Sequence, residues 1–270
     1  MNGILAVNAY LKGEKFNTLH NHIVKAAESM DIMLKIKNNE ELLFSDEKPD
    51  FVLFWDKDVN LAKNLENRGV PVFNSARAIS LCDDKAKTYL MLEGAVPQPK
   101  TLIAPFSFFK TDYTDFCKNA VKVLGLPVVF KECFGSFGEQ VFLCKSVEEV
   151  LLHISDKPFL LQEYIENGNE DVRLEIVGGK CVAAMKRTNS KDFRSNITNG
   201  GIAENYIPTN DEFNMAVRAC AVLGLDFGGV DILNHSLVCE VNSNAHIINL
   251  MNATGVDAAP LILKQIVETL

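Results

Sequence analysis

Residues 227–242 read FGGVDILNHSLVCEVN. Two short apolar runs flank a polar Asn-His-Ser, the pattern of a β-hairpin. With His235 and Ser236 as the turn residues, Leu233 pairs with Val238 and Asp231 lies directly opposite Glu240. Asn242, two residues beyond Glu240, projects from the same face. Like charges placed opposite each other destabilise a sheet, but a hard cation between them reverses the sign. Two carboxylates and an amide oxygen suit magnesium, which prefers oxygen ligands and shares its shell with phosphates and water. On these residues alone, a solvated sheet face carrying two unpaired acids is the other reading.

Working outward, the whole chain has 270 residues, of which 47% are hydrophobic and 23% charged. Those values exclude a disordered chain and allow one large domain or two to three small lobes. The formal net charge of -8 gives no global field for nucleic acid or an anionic membrane, so neither is an expected partner. No apolar stretch is long enough to span a bilayer, and MNGILAVNAYLKGEKF lacks the marks of a secretory signal. The seven cysteines form no CxxC pair and most sit in apolar runs. They read as free buried thiols in a reducing cytoplasm, the expected location. His20 and His22 would face different sides of a helix and make no zinc pair.

Residues 1–82 alternate strand and helix signals. Strands are expected at Gly3–Asn8, Met33–Lys37, FVLFW and VPVF, with a helix over Phe16–Met30, which argues for a small parallel α/β domain. A second lobe, 83–157, begins with a helix capped by Asp83 or Asp84. After Pro97, Pro99 and Pro105 the chain is extended and loop-like. PVVFKE and VFLC then read as strands around the glycine loop CFGSFGEQ. The third lobe, 158–270, is mostly strands: FLLQEYI, a hairpin across Gly178-Gly179, then the hairpin quoted first, with helices at Asn210–Leu223 and Ala258–Leu270. Ser190 to Glu204 reads as a polar, mobile loop.

Three further features can carry chemistry. Gly135, Ser136 and Gly138 allow backbone N–H groups to approach a phosphate, although an ordinary turn between strands fits as well. The loop is not a Walker loop, since no GK[ST] occurs and a strand follows. Lys131 ends a buried strand, from which it can reach an anion or snorkel to solvent. Arg187 and Arg194 flank the polar loop and have the fork geometry of anion clamps, as many surface arginines do.

The order DDK, VVFKE with a glycine loop, QEYI, DVR, KDFRSN, GVDIL and CEVN resembles the ATP-grasp superfamily, and KDFRSN with GVDIL and EVN is similar to the RimK-type α-L-glutamate ligases. The resemblance spans nearly the whole chain. It implies a mixed α/β and α+β fold: an N-terminal parallel α/β (pre-ATP-grasp) domain and two lobes clamping ATP. It implies an ATP- and magnesium- (or manganese-) dependent ligase that joins an amino acid, often glutamate, to a small-molecule, peptide or protein carboxylate through an acyl phosphate. Lys85 and Lys131 match lysines that contact phosphates, and Glu163, Tyr164 and Ile165 match the adenine segment. Asp171 matches an acid near the ribose, with Arg173 beside it. Arg194, Ser195 and Asn196 match the RSN segment at the phosphates, with Arg187 a second clamp. Asp231, Glu240 and Asn242 match the metal ligands. The resemblance leaves a homo-oligomer open.

Two departures stand out. Gln140 replaces a glycine of the family's loop, and SNAHIINLMNATGVD replaces the usual small-residue and proline segment after EVN, so the acceptor site does not carry over. Asn244 and His246 read equally as substrate contacts or as packing residues. The departures motivate a rival: a non-catalytic nucleotide-binding scaffold on the same fold. An NAD-type domain is a poor fit, because no GxGxxG follows the first strand. The loop from Ser190 to Gly201 is expected to be disordered or open without ligand and to close over phosphates.

Overall fold

Phe51–Phe54 (β3) is fully buried, as a continuous apolar run in a parallel sheet must be. In the computed structural model, which describes residues 1–109, 111–197 and 200–270, β3 lies between Asn2–Val7 (β1) and Val72–Phe73 (β4). Met33–Asn38 (β2) forms the far edge, and every pair in the order β2-β1-β3-β4 is parallel. The connections are Glu14–Glu28 (α1), Asn39–Leu43 (α2) and Val59–Asn67 (α3). Gly3 admits the neighbouring ring: a Cβ there would stand 2.5 Å from Phe51 Cζ.

The helix expected after Asp83 or Asp84 is Lys85–Leu92 (α5), and a further, unexpected helix, Ala76–Asp83 (α4), precedes it. Asp84 adopts an extended conformation between them, and its carboxylate accepts from the N–H groups of Ala86 and Lys87. That N-cap places Lys85 at the first position of α5.

The second sheet is antiparallel, in the order β5-β8-β6-β7: Thr101–Ile103 (β5), Val128–Glu132 (β6), Val141–Cys144 (β7) and Phe159–Glu163 (β8). Thr114–Leu124 (α6) and Val147–His153 (α7) cover it, and Phe130, Phe159, Cys117 and Val150 share its separate core. The extended stretch after Pro99 becomes β5 because its backbone pairs with β8, Thr101 opposite Gln162. This sheet thus draws one strand, β8, from beyond residue 157.

The third sheet, in the order β11-β10-β9-β12-β13, comprises Glu170–Val177 (β9), Lys180–Thr188 (β10), Ile202–Asn205 (β11), Phe227–Leu233 (β12) and Leu237–Asn242 (β13). Strand β11 falls in a stretch expected to be loop. Asn210–Leu223 (α8) packs on one face, whose core includes Leu174, Ala219 and Val230. Ile247–Thr254 (α9) and Ala259–Thr269 (α10) cover the other, where Ile262 and Ile266 share a core with Leu19 and Ile23 of α1. The N-terminal domain is fixed to this lobe. Trp55 stacks on Phe227 at 5.7 Å. The buried Asn74 amide donates to the carbonyls of Phe227 (2.9 Å) and Ser243 (2.8 Å) and accepts from the N–H of Asp226 (2.8 Å).

The β12–β13 turn differs by one residue from the expected one. Asn234 and His235 are its central pair, both with φ near +50°, and Ser236 N–H donates to Leu233 O. Positive φ at both positions is the type I′ geometry that suits a twisted hairpin, and Asn tolerates it. Leu233 therefore pairs with Leu237, not Val238, and a bulge at Cys239 restores Asp231 opposite Glu240. All seven cysteines are free and five are buried. Among the described residues, no helix is long and apolar enough to cross a membrane.

Candidate active site

Strand register assembles the charged groups. On β10, β9, β12 and β13 one row runs Met185, Arg173, Asp231, Glu240; the next pair on is Arg187 opposite Asp171. Arg173 donates Nε and Nη2 to the two oxygens of Asp231, at 2.6 and 2.7 Å. Arg187 does the same to Asp171, both at 2.7 Å, and its Nη2 also lies 2.9 Å from Asp231 Oδ2. Arg187 is only 2% exposed. Its guanidinium is therefore a buried bridge between two acids, and among the described residues only Nη1 is left for a ligand. Asp171 is held by Arg187 in the same way.

Burial works to raise the Asp231 carboxyl, but Arg173 and Arg187 outweigh it and hold it at about 2. Asp171 moves the other way: burial and the Asp231 charge outweigh Arg187 and raise it. On acidification, Asp171 is the first of the pair to take a proton. Glu175, two residues beyond Arg173, is 1% exposed, and burial pushes its carboxyl up to about 7, with Asp231 adding and Arg173 opposing.

Glu175 gives a direct test. Its folded value lies above the ordinary 4.5, so the acid favours the folded state below that value and loses this contribution as pH rises through 7. In metal-free protein, Glu175→Gln is expected to stabilise by roughly 2–3 kcal/mol at pH 8 and by less than about 1 kcal/mol at pH 5. Denaturant melts at the two pH values measure the difference, and equal effects at both would contradict it.

A cleft lies between the second and third sheets. It is lined by Lys85, Lys131, Gly135, Ser136, Gly138, Glu163, Tyr164, Ile165, Asp171, Arg187, Arg194, Ser195, Asn196, Asp231 and Glu240. Arg173 and Asn242 line instead an adjoining cavity, which shares Arg187, Asn196 and Glu240 with the cleft. Lys131 is buried, with Nζ 3.6 Å from Cys239 Sγ. Lys85 Nζ donates to Gly135 O at 3.3 Å and lies 4.0 Å from Glu240. Burial lowers the Lys85 ammonium, Glu240 counters this, and Lys131 adds to the lowering. Two ammonium groups, one buried and one half-buried, beside an anion-ready loop would gain from a polyphosphate.

The glycine loop is a turn, with Phe137 and Gly138 both at positive φ and Glu139 N–H donating to Ser136 O. Phe137 occupies a position that favours glycine, and its ring is fixed against α1, 4.7 Å from Lys15 Nζ and 6.2 Å from Phe16. Gln140 lies over Gly135, where a Cβ would come 2.2 Å from its Oε1, and that oxygen accepts from Ser136 N–H. An amide thus takes one of the donors that a phosphate would use.

The segment after β10 rests against this loop. Arg194 donates Nη1 to Gly138 O at 2.5 Å and binds Asp192 through Nε and Nη2. The described part of the loop Ser190–Gly201 is therefore closed on the glycine loop rather than open; Thr198 and Asn199 lie outside the described residues.

The donor set of Asp231, Glu240 and Asn242 fits a hard cation. Arg173 and Arg187 leave Asp231 ionised with one lone pair on Oδ1 unused among the described residues, and Asn242 offers a neutral amide oxygen. No group of three or more His, Cys, Asp or Glu side chains among them can hold a metal by itself. This edge therefore suits an ion that completes its shell with phosphate oxygens and water.

Several lining residues escaped the sequence reading: Val129, Val141, Leu233 and Cys239, which give the cleft an apolar wall, and Gln162, Asn167 and Phe193. So did the N-terminal wall of the adjoining cavity, Lys15, His20 and Asp56. A signal for Asp56 was present: it comes two residues after the end of the central parallel strand, at whose carboxyl end ligands bind in such sheets. Asn244 and His246 both line this cavity.

Residues 82–266 match the family model described as the RimK-like ATP-grasp domain. The probable alpha-L-glutamate ligase of Marinomonas sp. is 37% identical over 77% of this chain and 71% of its own length. The beta-citrylglutamate synthase B of Danio rerio is 31% identical over 80% of this chain but 55% of its own length. The crystal structure of a D-alanine–D-alanine ligase from Bacillus anthracis complexed with ATP superposes with a TM-score of 0.78, covering 99% of this chain and 96% of that one. At 16% identity that likeness establishes the fold.

Proposed function

This chain belongs to the RimK-like ATP-grasp family, and from that premise we propose that it is an ATP- and magnesium-dependent ligase joining the amine of an amino acid to a carboxylate. The supporting observation is the convergence of Lys85, Lys131, a glycine loop and the Asp231–Glu240–Asn242 edge on the cleft and the cavity adjoining it. Names of relatives favour glutamate as the amino acid and, in the beta-citrylglutamate synthase, a small acid as the acceptor.

The apolar wall of Val129, Val141 and Leu233, with the strand end Glu163–Ile165, accepts the adenine. Lys85, Lys131 and the glycine loop hold the phosphates, and Arg194 and Asn196 border the γ-phosphoryl. An acceptor carboxylate oxygen attacks the γ-phosphorus and ADP leaves. The amine nitrogen then attacks the acyl carbon, loses a proton and expels phosphate, leaving an amide. Magnesium, held by Asp231, Glu240 and Asn242, would supply charge neutralisation across the phosphoryl oxygens. The protein contributes positioning and fixed charges, which dominate phosphoryl transfer. No side-chain nucleophile is needed.

The test is purified protein with magnesium and ATP, given amino acids and carboxylate acceptors in pairs. ADP release that requires both, with a new amide detected by mass spectrometry, is expected; failure to bind ATP would remove the proposal. Gln140, seated on the Ser136 N–H, favours a second reading, a nucleotide-binding scaffold without turnover. ATP binding without ADP release for any pair would select it.

A further inference from the structure

The cavity beside the nucleotide cleft is the roomier of the two, about 300 Å³ against about 110 Å³. It is walled by the N-terminal domain on one side and by β9, β13 and the segment after β13 on the other. Asp56 stands on the N-terminal wall, two residues after the end of β3, and is 3% exposed. Its Oδ1 accepts from Asn8 Nδ2 at 2.9 Å and from Lys57 N–H at 2.7 Å. Its Oδ2 is buried and accepts from no group among the described residues. The nearby ammonium of Lys57 lies 3.0 Å from Asp83 instead. A carboxylate oxygen buried without a donor is costly, and the two bonds to the other oxygen fix its direction.

The facing wall carries hydrogen-bond donors. Arg173 lines it, with Nε and Nη2 on Asp231 and Nη1 donating to nothing among the described residues. His246 lines it too, and neither ring nitrogen has a partner among the described residues. A neutral imidazole offers one N–H donor.

We propose that this cavity binds the amino-acid substrate as its zwitterion, the ammonium on Asp56 Oδ2 and a carboxylate on Arg173 Nη1 and His246. The assignment rests on the ligase reading and gives its amino acid a site. A fixed carboxylate at one end selects by rejection as well as attraction: an acid lacking the ammonium would set its own charge or apolar carbon against Asp56. Asp56 is thus a binding residue for specificity, outside the phosphoryl-transfer machinery.

Calorimetry can decide this, titrating each of the twenty common amino acids into the parent protein with and without magnesium and a non-hydrolysable ATP analogue. At least one amino acid is expected to bind, with its deaminated and N-acetylated forms at least about 30-fold weaker. Asp56→Asn keeps an oxygen for Asn8 and Lys57. It is expected to weaken the amino acid by about 30-fold or more, leave the affinity for the ATP analogue unchanged, and hold or raise the melting temperature, since it removes a buried charge. A purely structural Asp56 would lower the melting temperature and spare the amino acid. Failure of every amino acid to bind, equal binding of the deaminated acid, or unchanged affinity in Asp56→Asn overturns the proposal. Should that variant not fold, the comparison of amino acid with deaminated acid on the parent still decides it. Should the ATP analogue fail to bind, the ligase reading falls separately, and titration of the unloaded protein decides the amino-acid site.

Discussion

Replacing Glu240 by Gln is expected to lower kcat for ADP release on the order of 10²–10³-fold, while the melting temperature stays close to that of the parent. Glu240 sits opposite Asp231 across the β12–β13 pair and 4.0 Å from Lys85 Nζ. In the proposed mechanism the substitution weakens two things together. It removes one of two full negative charges from the cation-binding edge, and it takes from Lys85 the carboxylate that counters the lowering by burial and by Lys131. Less of Lys85 would then be charged beside the phosphates. The fold should tolerate the change, because the buried arginine bridges run through Asp171 and Asp231 and leave Glu240 out. Steady-state ADP release over a magnesium series separates these effects. Loss that high magnesium partly restores indicates the cation edge; loss insensitive to magnesium indicates Lys85. Parent-like turnover would remove Glu240 from the site.

What the sequence made legible, and what it hid, follows from how far each signal reaches along the chain. FVLFW announced a buried parallel strand, and Asp231 opposite Glu240 was readable, because each depends on neighbours within about fifteen residues. The opposition held even though the turn did not: Asn234 took the left-handed position that His235 was expected to open, and the bulge at Cys239 absorbed the extra residue. Strand β5 was hidden because three residues after two prolines carry no pattern of their own and become a strand only by pairing with β8. The arginine bridges were hidden for the same reason at greater range. Arg187 looked like a free clamp until β10 set it opposite Asp171, and Arg173 looked like a nucleotide contact until β12 set Asp231 against it. Asp56 was readable only as the residue after a strand; its significance depends on Asn8, 48 residues away, taking one carboxylate oxygen and leaving the other.

Those bridges lead to the other large effect. Arg187→Met is expected to destabilise the protein by about 3–5 kcal/mol at neutral pH, because it strips a buried acid pair of the charge that holds it. Asp231 keeps Arg173, but Asp171 loses its bidentate partner. The methionine replaces most of the lost volume, so the deficit reports charge rather than packing. Removing the stranded acid as well should recover much of it: Asp171→Asn with Arg187→Met is expected to be at least about 1 kcal/mol more stable than Arg187→Met alone, the sign of a coupled pair. The pH dependence carries an independent signature. Asp231 is held at about 2, below its unfolded value, so its contribution in the parent stands above the ordinary carboxylate range and is lost as pH falls toward 2. Asp171 is raised, and more so without Arg187, so its penalty in the variant is full at neutral pH and fades as the acid protonates on the way to pH 4. The gap between parent and variant should therefore be widest near pH 7 and close on acidification. Denaturant unfolding of the two proteins across that range measures it; a gap that stays constant with pH would mean that packing, not the buried acids, sets the cost of losing Arg187.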